Sequence, residues 1–218
     1  MGTHPTLYLA YDGVLHPNLV TFRENGLPRL RAGGHELFEN NALLEAIIEA
    51  CPQTEVVLHC WWVPLLGYRS ALAMLPELVR NHVVGATWHS GRGLRARRRP
   101  SRPRRAWLDD DLKRRHPAYP VLLDCDLIQV APMLADCACV VDEWRGLASA
   151  GACERLCSLL TAYGSKRPCN QVGGQLPSER RDDSECSMAE WERCGAVWPR
   201  ASDGREDAFP LRNRKFAC

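Results

Sequence analysis

No stretch of this 218-residue chain approaches the roughly 20 apolar residues needed to cross a bilayer, so no membrane-spanning helix is expected. An excess of one charge is missing too. Twenty-eight Lys and Arg face 26 Asp and Glu, and the net charge of +2 steers the chain toward no particular partner. The opening MGTHPTLYLAYDG has no basic segment leading into an apolar core. A secretory leader is therefore not expected, and a cytoplasmic chain with reduced thiols is. Cysteine is plentiful at eleven residues, yet no Cys-x-x-Cys pair occurs. Structural zinc would want two such pairs or a matching His pair. Cys137-x-Cys139 fits no such site, and Cys153 and Cys157, four apart, read as small hydrophobes on one helix face.

What is present is a repeating alternation. Leu7-Tyr8-Leu9 is an apolar run of strand type, followed by a glycine- and proline-punctuated stretch from Asn18 to Gly34 that reads as loop. Leu43, Leu44, Ile47 and Ile48 mark one face of a helix over Glu39–Cys51. Glu55–Leu58 is a second strand, Ser70–Val79 a short helix, and Val83–Gly85 a third strand. Pro120–Asp124 and Ala138–Asp142 are two more strands, and Ser149–Tyr163 ends the pattern with a helix. Strands alternating with helices imply an α/β fold, a Rossmann-like parallel sheet with helices on both faces. The pattern predicts one domain over residues 1–163. The tail, 164–218, keeps no apolar periodicity and reads as largely disordered.

In such a sheet the ligand lies beyond the carboxyl ends of the strands. Asp12, His59-Cys60, Asp124 with Asp126, and Asp142 all fall there. One aspartate past a strand is usually a turn or cap residue, so it is the convergence of several that points to a site. A second feature stands apart. Eight arginines occupy the fourteen positions from Arg92 to Arg105, interrupted by Pro100 and Pro103. They could grip the phosphates of RNA, DNA or another polyanion, or form a solvated loop. No aromatic residue is interleaved, so base stacking has no platform within the run.

These motifs together resemble the haloacid dehalogenase (HAD) superfamily, most nearly the small bacterial HAD-like domain of hydrolases and RNA-repair-associated proteins. The likeness rests on Ala10-Tyr11-Asp12-Gly13-Val14-Leu15-His16-Pro17, Val57-Leu58-His59-Cys60-Trp61-Trp62, and Gly85-Ala86-Thr87-Trp88-His89-Ser90. It continues through Leu122-Leu123-Asp124-Cys125-Asp126 and Asp142-Glu143-Trp144-Arg145-Gly146-Leu147. The resemblance implies a phosphatase-type ancestry. In active members one aspartate attacks phosphorus, the aspartate two residues later exchanges the proton, and Mg2+ neutralises the transferring phosphoryl group.

Here the nucleophile's position is Ala10, which leaves Asp12 as the acid/base and Asp12, Asp124 and Asp126 as metal ligands. Mg2+ is then expected to bind weakly or not at all. Gly13, His59 and Cys60 take the phosphate-binding positions, His59 and Cys60 without the hydroxyl groups usual there. The basic catalytic residue is assigned to Arg105, with Arg104 and Lys113 as neighbouring alternatives. A replacement nucleophile at Cys60 is disfavoured, because adjacent strand residues face opposite ways and His59 would not reach it. The expectation is a catalytically impaired hydrolase-family protein. The alternative is a nucleic-acid or phosphate-end binding module that uses the arginine run, and the partner expected is a phosphorylated small molecule or a nucleic-acid end.

Overall fold

β1 (Pro5–Leu9) is buried along its whole length because it lies mid-sheet. The computed structural model describes residues 4–22, 27–89 and 103–162. Within them five parallel strands, β1, β4 (Glu55–Leu58), β5 (Val83–Ala86), β6 (Tyr119–Asp124) and β7 (Ala138–Val140), lie in the order β5-β4-β1-β6-β7. Leu9 aligns with Leu58 on one side and Leu123 on the other, so the chain leaves β1, β4 and β6 at one level. The expected α/β architecture is present. The expected tail and most of the arginine run lie outside the described residues.

The period of two along each strand divides the core. Leu7, Leu9, Val56, Leu58, Val121 and Leu123 face one side. There they meet Leu44, Ile47 and Ile48 of α1 (Asn41–Ala50) and Leu156, Cys157 and Leu160 of α6 (Ala152–Thr161). Tyr8, Val57 and Leu122 face the other side, against Leu108 and Leu112 of α5 (Arg104–Arg115). Cys153 and Cys157 are buried on the inner face of α6, as their spacing requires, and no disulfide joins the described cysteines to one another.

Three elements depart from expectation. The stretch read as loop holds a two-stranded antiparallel ribbon, β2 (Val20–Phe22) and β3 (Pro28–Leu30). The single helix over Ser70–Val79 is two, α3 (Tyr68–Ala73) and α4 (Glu77–Asn81), divided at Pro76, which has no N–H to continue the ladder. They follow the five-residue α2 (Trp62–Leu66). α5 is additional, a helix with few apolar residues that nonetheless seals one face of the sheet.

The turn after β1 is clamped by the turn after β7. Leu147 N–H and the Asn40 side chain both donate to the Val14 carbonyl, and Gly146 N–H donates to Asp142. Gly146 has φ +57°, and a Cβ there would stand 2.1 Å from the Val14 oxygen. The Gly-Leu dipeptide is thus required by a close approach of two backbones.

Candidate functional site

Because β1 lies between β4 and β6, the residues just past these three strands share one edge. Ala10 follows β1 directly, donates its N–H to the Leu123 carbonyl at 3.0 Å, and is wholly buried. Asp12, two residues on, keeps its side chain 23% exposed. Its carboxylate accepts from Trp62 Nε1 at 3.0 and 3.2 Å and lies 3.2 Å from His16 Nε2. The Phe38 N–H donates to His16 Nδ1, so the neutral ring carries its proton on Nε2 and donates it to Asp12. His16 therefore shapes the loop and holds Asp12 in place.

Across the edge, Asp124 ends β6 with no solvent exposure. Arg104, the first residue of α5, reaches it with both arms of its guanidinium. Nη2 donates to Oδ1 at 3.1 Å, and Nη1 lies 3.0 Å from Oδ2 while also donating to the His59 carbonyl. Burial raises the Asp124 pKa, and Arg104 is the largest influence opposing that rise.

The residues do not fit a magnesium ion as they stand. Mg2+ demands near-octahedral oxygen ligands with free lone pairs. Asp124 Oδ1 accepts from Arg104 and from the Asp126 N–H, while Oδ2 makes no hydrogen bond among the described residues but has Arg104 Nη1 3.0 Å away, where a metal would have to sit. The Asp126 carboxylate accepts from the Ile128 N–H and the Gln129 amide. The Asp12 carbonyl has the Cys125 thiol 3.5 Å away. That thiol packs so closely on Gly13 that a Cβ there would lie 2.3 Å from Sγ, at a φ of +73°. The guanidinium supplies the positive charge that a metal would bring to Asp124. Among the described residues no cluster of three or more His, Cys, Asp or Glu is arranged to hold a metal.

The structure brings Asp12, Arg104 and Asp126 together on one cleft of about 710 Å³, with Trp61, Cys125 and Glu143 also on its wall. Arg105, assigned as the basic residue, is not on that wall, whereas its neighbour Arg104 is. Arg105 pairs with Asp109 and donates to the carbonyls of Ile128 and Val130, because consecutive helix residues point about 100° apart. Lys113 lies a helix length away in the last turn of α5. Gly13, His59 and Cys60 also fall outside the cleft wall. The Gly13 N–H donates to the His16 carbonyl and the His59 N–H to the Leu9 carbonyl, so neither is available to an anion. Cys60 is buried, and burial followed by the nearby Asp12 charge pushes its thiol up to about 12. Three carboxylates thus line the cleft against one guanidinium already paired, a poor charge balance for a phosphate.

The arrangement matches a known family. Residues 6–152 match the model of the HAD domain in Swiss Army Knife RNA repair proteins, well over half of the chain. The chain belongs to this family. Comparison with curated proteins and with solved structures returned no match. The family match and the five-stranded sheet agree on the HAD fold, and the departures from the motifs that the resemblance implies fall at Ala10 and His59-Cys60.

His59 makes one of these departures measurable. Its ring is wholly buried, with Nδ1 3.0 Å from Thr87 Oγ1 and no partner on Nε2 among the described residues. Burial first, then the Arg104 charge, depresses its pKa well below the ordinary 6.5. The folded chain therefore holds His59 neutral while the unfolded chain takes up a proton below about 6.5. Its contribution to stability is complete above that value and is lost as pH falls below it, by up to about 1.4 kcal/mol per pH unit. Urea unfolding between pH 7.5 and 5 is expected to show this loss, and His59→Gln to remove that part of the slope. Equal slopes in the two proteins would contradict a buried neutral imidazole.

Proposed function

We propose that this HAD domain no longer transfers phosphoryl groups and serves the RNA-repair setting of its family by binding nucleic acid. Residue 10 carries the first half. The Ala10 methyl has no oxygen to accept phosphorus, and Asp12 can relay a proton but has no covalent intermediate to act on. Removing a nucleophile costs about 10⁶-fold in a well-characterised hydrolase. Phosphate-ester hydrolysis is slow enough unaided to need up to about 10²¹-fold acceleration, so residual electrostatics leaves no useful rate. Cys60 does not substitute. A thiol titrating near 12 is almost entirely protonated at pH 7, and the one ring nitrogen of its neighbour His59 with a partner is turned to Thr87.

The second half is supported by the arginine density between Arg92 and Arg105 and by the RNA-repair description of the family. The acidic cleft argues that the chain's phosphates, more than a phosphorylated end seated in that cleft, are what is gripped. Hydrolysis of p-nitrophenyl phosphate and of a 3′-phosphorylated oligonucleotide with Mg2+ is expected to stay at buffer background. Binding of a single-stranded oligonucleotide is expected to weaken with salt, with a log–log slope steeper than about −2, the value for three neutralised phosphates. Turnover abolished by Asp12→Asn would sink the first half, and salt-independent binding the second.

A further inference from the structure

The arginine run contains no aromatic residue, but the fold brings three tryptophans together near Arg104, the first of its arginines that is described. Trp61 stands at the start of α2, Trp88 just past β5, and Trp107 in the first turn of α5. The Trp61 and Trp107 rings are 4.8 Å apart at 75°, and those of Trp88 and Trp107 are 4.9 Å apart at 54°. The row is continuous and joins two depressions. Trp61 lies on the wall of the cleft that holds Arg104. Trp88 and Trp107 line a second depression of about 340 Å³ with His89, Asp110, Asp111 and Arg114.

Packing alone accounts for Trp107, which is 4% exposed over the sheet edge. It does not account for the rest. Trp61 is 38% exposed, and Trp88 packs against the core with one part yet remains half-buried, although water is a poor neighbour for an indole face. The Trp107 Nε1–H is buried without an acceptor among the described residues, and an orphaned donor on a cavity wall marks a place for a ligand atom. Arg114, 52% exposed and paired with Asp111, touches His89 Nε2 at 2.7 Å and keeps a guanidinium on the same wall.

We propose that the tryptophan row is a stacking platform for a single-stranded polynucleotide. One base seats against Trp88 in the smaller depression and another against the exposed face of Trp61, while basic side chains draw in the phosphates. Indole faces accept any base, and a backbone-tracking cationic surface beside them is how single strands are held without sequence readout. The platform rests on the nucleic-acid-binding reading above and adds to it the place where the bases sit.

The test uses the full chain, an unphosphorylated 12-nucleotide oligouridylate, and inorganic polyphosphate as a polyanion without bases. The oligonucleotide is expected to quench tryptophan fluorescence and polyphosphate to leave it unchanged. Trp61→Ala and Trp88→Ala are each expected to lower oligonucleotide affinity roughly 5- to 150-fold, the range for losing one stacked base, and to leave polyphosphate affinity within about twofold. Trp88→Phe, which keeps an aromatic face, is expected to retain most of the affinity, separating stacking from a folding defect. Equal losses for both ligands, or none in either alanine variant, would overturn the platform while leaving polyanion binding intact. If neither ligand binds, the nucleic-acid-binding reading fails with it.

Discussion

Arg104→Ala is expected to destabilise the domain by about 3–5 kcal/mol, the usual cost of removing one partner from a buried ion pair. Asp124 has no solvent exposure and Arg104 only 11%, so neither charge can recover its hydration when the other is lost. The effect is a pair property, and a double-mutant cycle isolates it. Asp124→Asn alone leaves a guanidinium with one weakened acceptor and the His59 carbonyl. Arg104→Ala/Asp124→Asn removes both charges, and its cost is expected to be smaller than the sum of the singles by at least about 2 kcal/mol. Urea unfolding of the four proteins measures this. Additive losses below about 1 kcal/mol each would mean that the contact is a surface-grade pair. Wild-type unfolding is also expected to be indifferent to added Mg2+, since the guanidinium occupies the carboxylate a metal would need.

The strands were legible because parallel strands covered on both faces read as unbroken apolar runs, such as Val121-Leu122-Leu123 and Val56-Val57-Leu58. α5 was not. In RRAWLDDDLKRR only Trp107, Leu108 and Leu112 mark the buried stripe, and the fourth inward residue is charged. Asp111 is tolerated there because Tyr8 Oη and the guanidinia of Arg114 and Arg115 all reach its carboxylate. That network belongs to tertiary structure and leaves no period in the sequence. Without the helix, Arg104 and Arg105 could not be told apart, because their difference is helical phase.

The β2–β3 ribbon was missed for a similar reason, its three-residue strands being too short to show alternation. Asp12 and Asp124 were legible at the site because each follows an apolar run. The occupancy of their lone pairs was not, since Trp62, Cys125 and Arg104 come from distant segments. The tryptophan row is the extreme case, assembled from three elements with no local signature.

Restoring the missing carboxylate by Ala10→Asp is expected to leave p-nitrophenyl phosphate hydrolysis at background and to cost about 3 kcal/mol or more of stability at neutral pH. Ala10 is wholly buried and packs within the apolar cluster that includes Leu9, Val14 and Leu123. A carboxylate placed there meets no free cation among the described residues of this edge, because Arg104 is held by Asp124. Burial without a partner raises a carboxyl pKa, so the folded variant binds its proton at higher pH than the unfolded chain does. The deficit relative to wild type should therefore shrink as pH falls through that raised value toward about 3.9, the ordinary aspartate range.

Unfolding at pH 7.5 and pH 5 measures the sign, and a deficit that widens on acidification would contradict it. Hydrolysis measures the chemistry. A full gain on the order of 10⁶-fold would require Asp124 to exchange its guanidinium for a metal as soon as a nucleophile is supplied. Mg2+-dependent turnover in Ala10→Asp would thus show that Arg104 is a displaceable gate over a working centre. Its absence would place the proposed loss of activity in two independent features, of which the second, the cation built into the fold, would hold even if the first were reversed.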